Sequence, residues 1–441
     1  MTSYWADHAW LPSGPARGVR LVVGDGRFVS VETRTTRRGD DVHLHGVVLP
    51  GLANVHSHIF QRALRGRTQI DADNALAWQA RMLAVAERIT PDLYLALARA
   101  TFAEMALAGY TVVGEFHYLH HGPGGVRYED PNAMGHALAQ AAAEAGVRLT
   151  LVDVCYLSGG LTAEGHLPTT GVLERFSDGS VEAWAERMRR VSQSPMLRRG
   201  AAVHSVRRVP RDQIRQVAGI VGESPLHVYV SERPSENLAC QMYYGCSPTR
   251  LLADSGALGP ETTAIHATHL SDDDLDLLAQ TRTQAGLCPT SEADLADGLP
   301  DVRGLVDRGV AVSLGSDQHA VLDPFLEMRE VEMHERLASG ERGRVSTADL
   351  VQMATVNGYR SLGWYDGGQL APGMLADFVV VDMETTRTVG AKPAQIAYAA
   401  TAADVVTVVV GGRTVVEDGH HVFGPVAPLL RESMGLIGAL P

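Results

Sequence analysis

The chain has 441 residues, 45% of them hydrophobic, and a formal net charge of −13. A length of this order buries one large α/β core plus a smaller partner, and the acidic balance, offset by no basic run, disfavours nucleic acid or an anionic membrane and leaves small molecules as the default ligand. The opening "MTSYWADHAW" lacks the basic-then-apolar build of a signal peptide, and no apolar run reaches the roughly eighteen residues of a membrane span, so a cytoplasmic protein is expected.

Residues 1–50 hold two strand-like stretches around a glycine turn, "VRLVVGDGRFVSVE" and "DVHLHGVVLPG", read as the first part of a small β domain. In residues 51–370, eight near-continuous apolar runs each close on polar residues: "LANVHSH", "TVVGEFHY", "RLTLVDVCY", "GAAVHSVRR", "LHVYVSE", "TTAIHATH", "QAGLCPTSE" and "VAVSLGSD". Segments of helical period lie between them, such as "TPDLYLALARATFAEMALAG" with Pro91 just inside its start and "DPNAMGHALAQAAAEAG" closed by a glycine. Alternating β and α units predict a parallel (β/α)8 TIM barrel whose site forms at the carboxyl ends of its strands. A doubly wound open sheet is the alternative, but no GxGxxG follows a first strand and no P-loop occurs. Residues 371–441 return to strands in "ADFVVVDM" and "DVVTVVVGGRTVVEDG", so the small, sandwich-like β domain is predicted to be built from both chain termini. The four cysteines, Cys155, Cys240, Cys246 and Cys288, lack CxxC spacing and read as reduced, packed thiols.

Alternate residues of a strand share a face, so His56 and His58 in "HSH" can both point at one ion, and zinc accepts imidazole readily. The pair ends the first predicted barrel strand and Asp317 in "SLGSD" ends the last, which makes them neighbours in a closed barrel. "HLH" at His43 and His45 reads as ordinary polar residues of the small β domain.

"PGLANVHSHIFQRALRG", "EFHYLHH", "HATH", "GLCPTSEADLADG", "LGSDQH" and "GGQLAPGMLADFVVVD" together closely resemble the amidohydrolase superfamily, and within it the N-formimino-L-glutamate deiminases. The resemblance implies one divalent metal, zinc first, a homodimer, and attack of activated water on a formimino carbon to release ammonia. It implies His56, His58 and Asp317 as metal ligands, Asp317 also taking a proton from the attacking water. Glu232 would shuttle protons to the leaving nitrogen and His266 would support the water. Arg81 and Arg207 would hold substrate carboxylates, with Gln61, Tyr118 and His204 lining the pocket; a guanidinium fork suits a carboxylate. Arg207 could instead be a surface charge, since "VRRV" puts Arg208 beside it, but its place as the first polar residue after "AAVHSV" favours the binding role.

The family pattern on the fifth strand is His-x-x-Glu, yet "YVSE" puts Tyr229 at the third histidine's place. His227 lies two residues earlier, a displacement of roughly 6.5 Å, too far to substitute at a bond of about 2 Å. Three readings stay open: a metal deiminase in which Tyr229 or His266 completes the sphere, a metal-free relative transferring a formimino group to an amine, and a silent binding protein. A nucleobase deaminase is a further alternative, against which Arg81 and Arg207 point to an anionic amino acid. "CYLSGGLTAEGHLPTTG", "RPSEN" and Gln318 depart from the family on the loops at the barrel mouth.

Overall fold

A computed structural model of the protein describes residues 1–69 and 75–438. The chain enters through β1 (Thr2–Leu11), β2 (Gly14–Gly24), β3 (Arg27–Glu32) and β4 (Val42–Pro50) before its first barrel strand, β5 (Leu52–Ser57). Next come β6 (Tyr110–His117) and β7 (Arg148–Cys155), then a small hairpin of β8 (Gly160–Thr162) and β9 (Gly165–Leu167). The barrel continues with β10 (Leu197–Ser205), β11 (Leu226–Val230), β12 (Thr262–His266), β13 (Gln284–Leu287) and β14 (Val312–Leu314). Finally β15 (Phe378–Val381), β16 (Val405–Val410), β17 (Arg413–Glu417) and β18 (His420–His421) return to the terminal sheet.

The eight apolar runs are the eight strands of one parallel sheet, ordered β14-β13-β12-β11-β10-β7-β6-β5. Every residue of β5, β6 and β7 is buried, as expected of strands covered by helices outside and by one another within. Closure runs between β5 and the residues after β14. Ser57 bridges Asp317, the His58 amide donates to the Asp317 carbonyl at 3.1 Å, and the Asp317 amide donates to the His56 carbonyl at 2.9 Å. Gly315 permits this approach, because a Cβ there would stand 2.8 Å from the His56 Cβ and 2.9 Å from its backbone nitrogen and oxygen. Asn54 reinforces the seam, donating to the Ser316 hydroxyl at 2.7 Å and accepting from the Ser316 amide at 2.9 Å.

The second sheet joins both ends of the chain in the order β18-β17-β16-β15-β4-β1-β2-β3. Tyr4, Leu21, Phe28, Val48, Phe378 and Val409 fill its own apolar core. Sequence reading left out β1, which pairs antiparallel with β2 and parallel with β4. Asp7 and His8 interrupt its alternation, and Asp7 instead meets His43 Nε2 at 3.0 Å on β4. A buried ion pair ties sheet to barrel: Arg148 on β7 reaches Asp377, just before β15, with bonds of 2.7 and 3.0 Å, and the Tyr359 hydroxyl adds a third at 2.8 Å. Among the described residues no helix is long and apolar enough to cross a membrane.

Candidate active site

The carboxyl ends of the barrel strands converge on a cavity of about 140 Å³. His58, Gln61, Tyr118, His204, Arg207, Tyr229, Glu232, His266 and Asp317 all line it, and His56 lies buried directly beneath. The backbone there is unusual. Ser231, His266, Ala267, Asp317 and His319 all have positive φ, between 42° and 68°, a conformation that non-glycine residues adopt at a cost; of the five, His266 and Asp317 line the cavity.

At the floor, Asp317 Oδ1 stands 3.5 Å from His56 Nε2 and 3.2 Å from His58 Nε2. Ligands of one tetrahedral zinc at about 2.1 Å stand about 3.4 Å apart, so these three residues have metal-ligand spacing. Tyr229 does not match it. Its hydroxyl is 3.0 Å from His56 Nε2 and 2.6 Å from His58 Nε2, hydrogen-bond lengths rather than the edges of a coordination sphere. Burial, then the charge of Asp317, pushes the phenol well above its ordinary range, so it stays a donor. Ligating histidines almost always donate their second ring nitrogen to a partner. His58 Nδ1 does so, to the Phe116 carbonyl at 3.2 Å, whereas His56 Nδ1 is buried without a partner among the described residues. Burial, followed in weight by an opposing bond to Asp317, holds His56 down to about 3 and therefore neutral. A four-residue zinc site is thus fitted by His56, His58 and Asp317 and not by Tyr229. His227 takes no part: its Nε2 donates to the Ser361 carbonyl at 3.1 Å, away from the cavity.

On the wall above, Glu232 accepts a bond of 2.5 Å from Arg207 and lies 3.6 Å from Arg233. Burial alone would raise its pKa, but Arg207, His266 and Arg233 together hold it down to about 2. Glu236 sits behind, 3.8 Å from Arg207, and burial pushes it up to about 7 against the pull of that arginine. His266 goes the other way. Burial would lower it, yet Glu292 at 3.4 Å and the charges of Asp317 and Glu232 raise it to about 9. Gln61 donates to the Tyr118 hydroxyl at 2.9 Å, and its own oxygen, in the cavity wall, has no partner among the described residues.

Arg81 is not brought to this cavity. It is exposed, and its guanidinium donates to the Arg67 carbonyl at 2.5 Å. Helix Ala75–Arg88 turns Trp78, Gln79 and Met82 inward. Arg81 projects roughly 100° away from the mean direction of those three. Arg208, the neighbour of Arg207, also lines the cavity, its guanidinium 5.2 Å above the Tyr156 ring, and Arg233 joins it. The departing segment after β7 supplies the β8–β9 hairpin, anchored where the Ser158 hydroxyl donates to the Arg207 carbonyl at 3.0 Å.

Behind the histidines, Glu115 accepts from the Ile59 amide at 2.8 Å and the Ser57 hydroxyl at 2.7 Å, fixing the turn that carries them. Burial pushes its carboxyl up to about 8 despite these donors. The folded state therefore keeps a proton that the unfolded chain releases near 4.5, and stability should fall as pH rises between about 4.5 and 8, by at most about 1.4 kcal/mol per unit. Glu115→Gln should flatten that dependence; melting temperatures across this range check it, and an unchanged slope would mean that the group is ionised in the fold.

A closed parallel barrel with histidines on its first strand and an aspartate after its last defines a class of hydrolase-like barrels. An Amidohydrolase family model matches residues 47–415, and the chain belongs to that family. It is 33% identical to formimidoylglutamate deiminase of Pseudomonas aeruginosa, covering 96% of each chain. The 5'-deoxyadenosine deaminase of Methanothermobacter thermautotrophicus is 29% identical over 93% of this chain and 92% of the relative. Among solved structures, an amidohydrolase from Brucella melitensis superposes with a TM-score of 0.92 at 30% identity, covering 99% of this chain and 100% of the other. A zinc-complexed atrazine chlorohydrolase of Arthrobacter aurescens shares the fold at a TM-score of 0.85 and 20% identity, again covering 99% of this chain and 100% of the other.

Proposed function

We propose that the protein acts on the C–N bond of a formimino group carried by an acidic amino acid, with Glu232 moving protons at the reacting nitrogen and Arg207 holding a substrate carboxylate. One observation carries this most: the Arg207–Glu232 contact puts an anion-recognising fork beside a proton carrier, facing the His58–Asp317 floor across a small cavity. Arg208 and Arg233 add positive charge on the same wall, which favours an anionic ligand over a neutral nucleoside. His266, held by Glu292, would orient or protonate the group under attack, and Gln61 offers its side-chain oxygen to a substrate N–H. Zinc is the ion that the family resemblance implies for His56, His58 and Asp317.

Steady-state assays by mass spectrometry with N-formimino-L-glutamate, with and without a primary amine, and with 5'-deoxyadenosine test the substrate class. Consumption of the formimino compound at the higher kcat/KM is expected. Preferential deamination of the nucleoside would remove the amino-acid reading.

A further inference from the structure

We propose that the Tyr229 hydroxyl takes the place of a divalent metal between His56 and His58, and that the protein passes the formimino group to a primary amine instead of to water. The inference rests on the substrate reading above and deepens it.

The ring protons of the cluster can be placed without an ion: His56 Nε2–H also faces Asp317 Oδ1 at 3.5 Å, and the approach of that oxygen to His58 Nε2 at 3.2 Å is the one contact left without a proton. His58 donates Nδ1–H to the Phe116 carbonyl, which leaves its Nε2 as the acceptor for the Tyr229 O–H at 2.6 Å. The phenol oxygen in turn accepts from His56 Nε2–H at 3.0 Å. His56 must then be protonated on the nitrogen that faces the cluster, and its other nitrogen, buried and unpartnered, agrees with that tautomer. A ligating His56 would need its proton on Nδ1, where no described group accepts it.

Tyr229 is also held in place. Its ring stacks on Phe116 at 4.7 Å, meets the edge of His204 at 5.0 Å and lies 5.1 Å from His266. Swinging the hydroxyl aside to admit an ion would break those contacts as well as both hydrogen bonds.

The choice of nucleophile follows from chemistry. Unassisted water, with a pKa near 15.7, is a poor nucleophile at neutral pH. A primary amine attacks an amidine carbon through a free lone pair. In the transfer, the amine nitrogen bonds to the formimino carbon and the bond from that carbon to the amino acid's nitrogen breaks. One proton passes from the attacking to the departing nitrogen, by way of Glu232 on the cavity wall. The imino nitrogen stays on the transferred group, so the products are a free amino acid and a formiminated amine, with no ammonia and no change in oxidation state.

The test uses the full-length protein purified without chelator, equilibrated with zinc sulfate and then dialysed, for elemental analysis. It is assayed with N-formimino-L-glutamate plus a panel of ethylamine, glycine and ethanolamine. Expected are zinc far below one per chain, glutamate and a formiminated amine as products, and no effect of chelator. Tyr229→His should raise zinc to about one per chain and turn on ammonia release. If that variant does not fold, Tyr229→Phe keeps the ring packing and should lower transfer roughly tenfold or more through loss of the bridging hydroxyl. Stoichiometric zinc in the wild type with ammonia and formylglutamate as products would overturn this inference and leave the substrate reading intact. A metal-free protein that consumes no formiminoglutamate, with or without amine, would overturn the substrate reading and the transfer with it.

Discussion

Arg187→Met is expected to destabilise the protein by about 3–5 kcal/mol, the usual consequence of removing one partner from a buried ion pair. Arg187 lies in helix Val181–Arg189, with only 4% of its side chain exposed. It bonds Asp153 at 2.7 and 2.8 Å and Asp178 at 2.8, 3.0 and 3.1 Å. Without it, two buried carboxylates face each other with His121 at 3.1 Å, the Trp184 indole at 3.0 Å and His120 at 3.9 Å as compensation. Burial opposes ionisation of Asp178, but His121 and Arg187 outweigh it and hold the group far below the ordinary carboxylate range. The sign follows. A depressed carboxylate contributes stability above its unfolded pKa and loses it as pH falls, so the wild type should weaken on acidification below about 4 and the variant should show less of that loss. Denaturant unfolding at pH 7 and in acid measures both effects. A second change, Asp178→Asn, should restore part of the lost stability, because it removes one of the stranded charges. An Arg187→Met protein as stable as the wild type would mean that the network is neutral in the fold. The site would feel the loss too, since His120 and His121, which follow the cavity residue Tyr118, are bonded into the same region through Val154 and Asp178.

The barrel was legible because parallel strands covered on both faces must be written as apolar runs, and because each run ends where its polar residues reach the cavity. Strand β1 was not, since its partners β2 and β4 hide the interruption by Asp7 and His8 that only pairing explains. Residues at strand ends, such as Glu232, His266 and Asp317, were found by position and pattern, and the fold does bring them together. Arg81 was placed by resemblance alone, and a rotation about its helix axis carries it to solvent. Arg233, Glu236 and Glu292 escaped notice for a different reason: their roles come from approach between the segments that follow β11 and β13, which no local spacing encodes. The replacement at Tyr229 was visible as a broken pattern, but its meaning lay in two hydrogen-bond lengths that only the assembled site supplies.

Glu232→Gln should lower kcat by roughly 10²–10⁴-fold, the range for losing a positioned proton carrier, while KM moves by less than about tenfold. Glutamine has the same shape and still offers an oxygen to Arg207, so the 2.5 Å contact can persist while proton transfer cannot. In the free protein Arg207, His266 and Arg233 overcome burial to keep Glu232 near 2, which makes it ionised but weakly basic. A substrate carboxylate entering beside Arg207 would share that guanidinium and raise the proton affinity of Glu232 at the moment when it must accept a proton. Arg207→Lys should therefore act on both constants: a point charge replaces the fork, KM rises, and kcat falls because the coupling to Glu232 is loosened. The split between the two variants is the diagnostic, read from steady-state rates beside melting temperatures that show each variant folded. A Glu232→Gln protein with wild-type kcat would take the proton relay away from Glu232 and point to another titratable group of the same cavity, His266 on β12 first among His58, His204 and Asp317.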